Sequence, residues 1–200
     1  MDKTLKNKLS LNAKIVLSCI AWTIGILLFA GAAQSSEYLG IAKVVDGDTI
    51  EIDNVRFRIN GIDAPEAGQK CIAGGKSWRC GDEATAFMSE LVAGKQVSCL
   101  GLSTDGYGRI VATCLVDEID IGAKLIDRGL AWAFTKYSDL YVEQEKTARV
   151  LKLGIWNGEA QPAWEFRAAK WKVAEQNSPK GCPIKGNISK NGKIVLPPYN

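Results

Sequence analysis

The sequence predicts an α+β fold, in which helices pack against a small antiparallel β-barrel. Runs of alternating apolar and polar residues, typical of half-buried strands, fill much of the first half of the main domain. Segments with helical spacing lie between and after these runs, in the order strand-strand-strand-helix-strand-strand-helix-helix. The chain has 200 residues, of which 46% are hydrophobic, so it can bury the core of one domain.

The first three strands are short and are separated by tight turns. Residues 40–45 form an apolar run that ends in the turn sequence DGD, and residues 49–52 (TIEI) alternate. After a tight Asp-Asn turn, residues 55–59 (VRFRI) alternate again. In this last strand the apolar residues share one face, and Arg56 and Arg58 share the other.

The remaining elements are helices and one hairpin. A helix is expected from Asp82, which can cap its N-terminus, to about Val92. Strands at 96–101 and 109–116 flank the turn sequence DGYG and form a hairpin. Further helices are expected at residues 120–131, 139–153 and 163–176, the last of them basic. Short strands in this order, with helices packed on the outside, favour a barrel of the OB type.

The first 36 residues have the pattern of an export segment. Lys3, Lys6, Lys8 and Lys14 form a positively charged N-terminal region. Residues 15–33 are uncharged and mostly apolar, and Ala30-Gly31-Ala32 has the small residues of a cleavage site. An apolar run of this length also just spans a bilayer, so an uncleaved membrane anchor stays open beside a signal peptide. In both cases the sequence predicts an exported domain, which is periplasmic or secreted after cleavage and otherwise anchored outside the cytoplasm.

The predicted parts of the chain are the export segment at 1–36, a main domain at 37–158, a basic helical extension at 159–178 and a short appendix at 179–200. The chain has 25 Lys and Arg against 22 Asp and Glu, and four of the basic residues and one of the acidic ones lie in the export segment. The remainder is therefore neutral. This excludes a domain-wide basic surface for nucleic acid, although the basic C-terminal part can help to hold a polyanion.

The six cysteines fit an oxidising compartment. Cys99 and Cys114 are equally far from the centre of the DGYG turn, so a regular hairpin would place them opposite each other, within reach of a disulfide. Cys71 and Cys80 bracket an eight-residue loop and form the second expected pair. Scattered buried thiols and, less readily, metal-binding cysteines are the alternatives. Cys182 has no evident partner and is either free or paired with another chain.

Four carboxylates lie in two short turns on either side of the 49–59 hairpin. Asp46 and Asp48 precede it, and Asp63 and Glu66 follow it. A tight hairpin returns both turns to the same end of the sheet, where four carboxylates repel one another unless a cation or arginines compensate. Turn chemistry is the simpler explanation, because Asp is common in tight turns. The functional explanation is a site for a hard cation such as Ca²⁺ or Mg²⁺.

Two arginines favour the functional explanation. Arg58 lies on the polar face of the strand that leads to this end, and Arg109 follows the DGYG turn. Guanidinium groups bind phosphate oxygens in pairs and stay charged at any working pH. A metal, carboxylates and two arginines together describe a site for phosphodiester hydrolysis. The absence of histidine excludes Ser-His-Asp hydrolases, His-ligated zinc enzymes and histidine-dependent nucleases.

Five segments together resemble the staphylococcal nuclease (thermonuclease) family: VVDGDTIEI, RINGIDAPE, DGYGRIVA, GLAWAF and LGIW. They cover roughly residues 38–156. The resemblance implies an OB-fold barrel with helices, and Ca²⁺-dependent cleavage of DNA and RNA that leaves 3′-phosphate ends. We expect a monomer.

The resemblance also implies roles for residues of this sequence. The implied metal ligands are Asp48, Asp63 and the backbone carbonyl of Ala64, with Asp46 beside them. The implied catalytic residues are Arg58, Glu66 as the general base, and Arg109. The expected substrate-binding residues are Tyr107, Arg58 and Arg109. Two other functions stay open: a non-catalytic nucleic-acid-binding module of the same fold, and a Ca²⁺-stabilised domain of the cell envelope.

Overall fold

The computed structural model of the chain describes residues 36–176, 185–189 and 192–196. The predicted export segment, with its apolar run at 15–33, lies outside these residues, and so does Cys182. Among the described residues, no helix has the length and hydrophobicity needed to cross a membrane. The domain boundaries and the location of the protein therefore stay predictions.

Short strands dominate the first part of the chain, and helices separate and follow them. The strands are β1 (Glu37–Ile41), β2 (Lys43–Val44), β3 (Thr49–Ile52), β4 (Val55–Ile59), β5 (Ile62–Asp63), β6 (Cys71–Ala73), β7 (Lys76–Trp78), β8 (Gln96–Thr104), β9 (Ile110–Val116), β10 (Ile119–Asp120), β11 (Trp132–Ala133), β12 (Gly158–Glu159), β13 (Lys185–Ser189) and β14 (Gly192–Leu196). The helices are α1 (Cys80–Val92), α2 (Ile121–Asp127), α3 (Val142–Val150) and α4 (Ala163–Gln176), and a 3₁₀ turn lies at Gly154–Trp156.

The main sheet curls into a barrel. Its strand order is β1-β8-β9-β4-β3-β2, and β10 also pairs with β9. Only Ala42 separates β1 from β2, yet these strands pair with opposite ends of the sheet, so the chain itself joins the two edges. The predicted α+β fold with an OB-type barrel is confirmed. The predicted antiparallel pairing holds along the sheet except between β4 and β9, which run parallel and are joined by a long crossover that includes α1 and β8.

Two hydrophobic clusters hold these elements together. The larger one, the barrel cluster, joins the inward face of the sheet to α1 and α2, and includes Phe57, Ile59, Met88, Cys99, Cys114 and Leu125. The smaller one, the helix cluster, consists of Cys71, Cys80, Trp132, Ile155 and Ala163. Because Ala163 is the first residue of α4, the helix cluster anchors the N-terminal end of this C-terminal helix.

The helix at 163–176 has the predicted bounds, whereas the other helices differ at their ends. α1 begins at Cys80 and not at Asp82, which instead forms an ion pair with Arg79 at 2.5 Å. α2 is capped by Asp120, whose carboxylate accepts a hydrogen bond from the Ala123 amide at 3.0 Å. It ends before Gly129, which has a φ of +64° and so marks the left-handed end of the helix. α3 lacks the predicted first and last turns.

The β8–β9 hairpin contains the predicted disulfide between Cys99 and Cys114, and the second predicted pair, Cys71 with Cys80, is also bonded. Cys99 and Cys114 are direct partners across the two strands. The hairpin is not regular, however, because its register shifts by one residue between Gly101 and Ser103. The C-terminal strands β13 and β14 pair with each other as a separate hairpin.

Candidate active site

The two acidic turns meet at one end of the barrel. β3 and β4 pair so that Thr49 lies opposite Arg58, which brings the residue before β3 next to the residues after β4. The Ile59 amide donates to the Asp48 carbonyl at 2.9 Å. The Ala64 amide donates to Asp48 Oδ2, also at 2.9 Å. The backbone thus fixes the Asp48 carboxylate beside the Asp63-Ala64 segment.

Arg58 bridges the two carboxylates that the resemblance identifies as metal ligands. One terminal nitrogen pairs with Asp48 Oδ1, and the other pairs with Asp63 Oδ1 at 2.7 Å. Asp48 is 4% exposed and Asp63 is fully buried. Burial by itself lowers the pKa of the Arg58 guanidinium, but the charges of Asp48 and Asp63 outweigh it, and the pKa is raised above its usual range. Arg58 is therefore permanently charged.

Asp46 closes the first turn from the side. Its Oδ1 accepts a hydrogen bond from the Asp48 amide at 3.1 Å, as in an Asx turn. Burial, reinforced by the charge of Asp48, raises the pKa of Asp46 to about 6. The structure therefore places Asp46 beside Asp48, at the position where the resemblance puts an acidic neighbour of the metal shell.

Two glycines allow the turns to pack this closely. A Cβ atom at Gly47 would lie 2.8 Å from the Cβ of Ala64 and 2.9 Å from that of Ala84. A Cβ atom at Gly81, in the first turn of α1, would lie 1.8 Å from the carbonyl oxygen of Glu66. Any side chain at either position would push the carboxylate-bearing segments apart.

Glu66 lies at the mouth of the site, with its side chain 35% exposed. Its amide donates to the side-chain oxygen of Gln69 at 3.0 Å. Gln69 is itself 1% exposed, and its side-chain nitrogen donates to the Gln161 carbonyl at 2.6 Å. The segment that carries Glu66 is therefore tied to the chain just before α4, through a glutamine that the sequence analysis did not single out.

Arg109 reaches the same end from the β8–β9 turn. Its guanidinium pairs with Asp105 at 2.7 Å, and one terminal nitrogen donates to the Thr49 hydroxyl at 3.4 Å. Hydrogen bonds from Arg109 and from the Tyr107 amide outweigh the effect of burial and lower the pKa of Asp105. The Tyr107 ring lies 5.4 Å from the guanidinium and is more than half exposed. Arg109 thus contacts Thr49, which directly follows Asp48 in the sequence.

A third arginine, which sequence reasoning missed, also enters the site. Arg167 on α4 donates to both oxygens of Asp63, at 3.0 and 2.8 Å, and to Glu66 Oε1 at 2.6 Å. The sequence identified α4 as a basic helix. In the structure Arg167 lies in a half-buried stripe with Phe166 and Trp171, after the buried Ala163, but the local sequence does not distinguish it from the other basic residues of the helix.

The oxygen donors fit a hard divalent cation by their chemistry, because carboxylates and a backbone carbonyl are the ligands that Ca²⁺ prefers. The residues that would hold it are Asp48, Asp63 and Ala64. Within the described residues, no three acidic or cysteine side chains converge closely enough to enclose an ion as they stand. Arg58 and Arg167 occupy oxygens of these carboxylates instead.

The profile of the family described as "Staphylococcal nuclease homologue" matches residues 56–158, about half of the chain. The chain belongs to the staphylococcal nuclease family. The matched region contains Arg58, Asp63, Glu66 and Arg109. Asp48, which the structure places against Asp63, and Arg167 lie outside the matched region. The predicted family is therefore confirmed.

Several curated relatives are similar to the chain in sequence over most of their length. The chain is similar to the succinoglycan biosynthesis protein ExoI of Rhizobium meliloti, with 36% identity over 74% of the chain and 82% of the relative. It is also similar to an uncharacterized endonuclease of Escherichia coli, with 34% identity over 65% of the chain and 84% of the relative. An uncharacterized endonuclease of Haemophilus influenzae is 25% identical over 82% of the chain and 91% of the relative. This staphylococcal nuclease family member is a nuclease that hydrolyses phosphodiester bonds.

Proposed function

We propose that the protein is an exported, Ca²⁺-dependent nuclease that cleaves both DNA and RNA and leaves 3′-phosphate ends. The observation that carries this proposal is the meeting of Asp48, Asp63, Glu66, Arg58 and Arg109 at one end of the barrel, where Arg167 links Glu66 to Asp63. Ca²⁺ fits the hard oxygen donors, and the arginines supply charge where a phosphodiester would lie.

The chain's own residues divide the work of hydrolysis. Glu66, whose side chain is 35% exposed, accepts the proton of a water molecule whose oxygen attacks phosphorus. The bond from phosphorus to the 5′-oxygen breaks, the 5′-oxygen takes up a proton from solvent to become a hydroxyl group, and the phosphate stays on the 3′-oxygen. Arg58 and Arg109 donate hydrogen bonds to the phosphoryl oxygens, on which negative charge grows in the transition state. Bound Ca²⁺ would polarise a phosphoryl oxygen at Asp48 and Asp63.

Aromatic rings near Asp63 favour a single-stranded substrate. Trp132 pairs with Asp63 across β11 and β5. Next to it, Trp164 contacts Trp132 at 6.1 Å and stacks on Phe134 at 5.7 Å, and Phe134 contacts the exposed Tyr137 at 5.1 Å. Exposed rings stack on unpaired bases without sequence preference. The neutral charge balance of residues 37–200 does not supply the basic surface that broad contact with duplex requires.

The two disulfides support export. Both bonds belong to hydrophobic clusters of the fold, and such bonds persist in oxidising compartments. The predicted export segment at residues 1–36 agrees with this. Expression with the segment intact, followed by fractionation and N-terminal sequencing, would distinguish a cleaved protein from an anchored one. Recovery of the protein in the cytoplasm would contradict export.

Substrate and ion are tested together by end-group analysis of the products. Labelled single-stranded DNA, duplex DNA and RNA are each incubated with the purified protein in Ca²⁺ or in EGTA. We expect cleavage in Ca²⁺, faster on single strands, with 3′-phosphate and 5′-hydroxyl ends. Binding without cleavage would favour the non-catalytic module, and a Ca²⁺-dependent rise in melting temperature without either would favour the structural domain. Undiminished cleavage in EGTA would contradict the Ca²⁺ dependence.

A further inference from the structure

Arg167 holds two carboxylates of the site at once. One terminal nitrogen donates to Asp63 Oδ1 at 3.0 Å and to Glu66 Oε1 at 2.6 Å, and the other donates to Asp63 Oδ2 at 2.8 Å. The charges of Asp63 and Glu66, together with these hydrogen bonds, outweigh the effect of burial and raise the pKa of Arg167. Such forked contacts to carboxylates are among the strongest that arginine makes.

These contacts leave Asp63 with both oxygens engaged by guanidinium groups. Oδ1 accepts from Arg58 at 2.7 Å as well as from Arg167, and Oδ2 accepts from Arg167. A divalent cation bound through Asp63 would need one of these oxygens and would lie within a few ångströms of the Arg167 charge. Two cationic groups at that separation repel each other strongly where water is excluded. Full docking of Arg167 and occupancy by the cation are therefore in competition.

We propose that Arg167 is a built-in competitor of the divalent cation, a guanidinium that must leave Asp63 for the ion to bind. This inference rests on the proposed cation site and adds to it a residue from outside the matched family region. The competition lowers the apparent affinity for the ion by the fraction of molecules in which Arg167 has withdrawn. The C-terminal helix thus sets the ion concentration at which the nuclease becomes active.

The contacts that anchor α4 do not involve Arg167, so its side chain can move without unfolding the helix. Ala163 is fully buried in the helix cluster, and Trp164 packs against Trp132 and Phe134. Gln161, just before the helix, is held by Gln69 at 2.6 Å. The Arg167 side chain is 34% exposed, so it borders solvent already. Rotation of one long side chain is enough to release the carboxylates.

The test is a calorimetric titration of the full chain with Ca²⁺, in the absence of nucleic acid. It compares the wild type with Arg167→Gln and with Lys172→Gln, which removes the same charge from an exposed position on the same helix. If Arg167 is docked in about nine molecules of ten, Arg167→Gln binds Ca²⁺ about tenfold more tightly. Lys172→Gln should bind within about twofold of the wild type, because exposed charges at a distance are screened.

Arg167→Lys provides a second variant that keeps the charge but not the fork. An ammonium group cannot contact both oxygens of Asp63 in the bidentate manner of arginine, so its Ca²⁺ affinity should lie between those of the wild type and Arg167→Gln. Side-chain NMR of arginines labelled with ¹⁵N gives an independent readout. The Arg167 Nε signal should move towards the position of a solvated arginine as Ca²⁺ is added.

The possible failures are distinguishable. Equal affinities of wild type and Arg167→Gln would overturn the competition and leave the Ca²⁺ site in place. Weaker binding by Arg167→Gln would overturn it too, because Arg167 would then position Asp63 for the ion. Equal gains in Arg167→Gln and Lys172→Gln would reduce the effect to overall charge and would also contradict the proposal. Ca²⁺ binding by none of the proteins would overturn the proposed cation site and this inference together.

Discussion

The two hydrophobic clusters each contain a disulfide, and each delivers an arginine to Asp63. The barrel cluster encloses Cys99–Cys114 and supports β4, which carries Arg58. The helix cluster contains Cys71–Cys80 and seats α4, which carries Arg167. The same carboxylate is therefore held from the centre of the fold and from its C-terminal extension.

The difference between the clusters lies in how firmly they hold each arginine. Arg58 stands between Phe57 and Ile59, which are 0% and 1% exposed, and its strand pairs on both sides. Arg167 lies on α4, in which Ala163 is the only fully buried residue among the side chains that the structure describes. We infer that Arg58 is a fixed part of the site and that Arg167 is a removable one. The following predictions test that distinction.

Arg58→Gln should have the largest effect, because it removes a phosphate donor and leaves two buried carboxylates facing each other. We expect turnover to fall by about 10²-fold or more and the free energy of unfolding to fall by about 3 kcal/mol. Nuclease assays and urea unfolding measure the two effects.

Arg56→Gln is the matched control for this change, since Arg56 lies on the same face of the same strand. Its side chain is 55% exposed and pairs with Glu51 at 3.3 Å, so its loss should change stability by less than about 1 kcal/mol. Equal effects of the two substitutions on stability would show that Arg58 is not integrated as described.

Loss of the Cys99–Cys114 bond, by Ala at both positions, should destabilise the whole domain. Closing a loop of this length contributes about 3 kcal/mol in the chain-entropy model, and the bond lies between two strands of the barrel. The midpoint of urea unfolding should move to a lower urea concentration, by the same amount at every spectroscopic probe. A shift confined to one probe would contradict the assignment of this bond to the central cluster.

Arg109→Gln should impair catalysis with little effect on folding. The guanidinium pairs with Asp105 of its own turn, so removing it leaves no fully buried charge unpaired. We expect turnover to fall by about 10²-fold, equivalent to about 2.7 kcal/mol of transition-state stabilisation. Stability should change by less than about 1 kcal/mol. A variant with full activity would remove Arg109 from the catalytic machinery.

Loss of the Cys71–Cys80 bond, again by Ala at both positions, should have a smaller and more local effect. The chain-entropy model gives about 2.5 kcal/mol for this shorter loop, and the bond packs under Ala163. Amide hydrogen exchange should accelerate first in α4. If the barrel strands exchanged faster while α4 stayed protected, the two clusters would not be separate supports.

Much of the barrel end of the site could be predicted from local sequence. The alternation of VRFRI fixes which face carries Arg58, because a strand residue and its second neighbour share a face. The short turns on either side of the β3–β4 hairpin then bring Asp48 and Asp63 together. These inferences needed contacts only between residues close in sequence.

The Cys99–Cys114 pair was predicted correctly on an assumption that the structure corrects. Next to the turn, Thr104 lies opposite Ile110, and this register continued without interruption would place Leu115 opposite Cys99. The one-residue shift between Gly101 and Ser103 brings Cys114 there instead. A bulge and a longer turn thus compensate, and neither has a strong local signal in the sequence.

The contributions of Gln69 and Arg167 could not be predicted from the sequence in this way. Their contacts join residues that are about ninety to one hundred positions apart, as in the bonds from Gln69 to Gln161 and from Arg167 to Asp63. Such pairs depend on where α4 packs, which is set by the helix cluster and not by the helix's own pattern. Several other basic residues in the C-terminal part had equal claim.

The dependence of cleavage rate on Ca²⁺ concentration, measured for the wild type and for Asp48→Asn on labelled single-stranded DNA, tests the nuclease site most directly. Asp48→Asn keeps the shape of the side chain and removes the charge of an expected ion ligand. We predict that the wild-type rate rises to saturation with Ca²⁺ and is lost in EGTA. The variant should need at least about tenfold more Ca²⁺ for its half-maximal rate, or have a turnover at least about tenfold lower. Equal rates for the two proteins, or a wild-type rate that does not respond to Ca²⁺, would contradict the account.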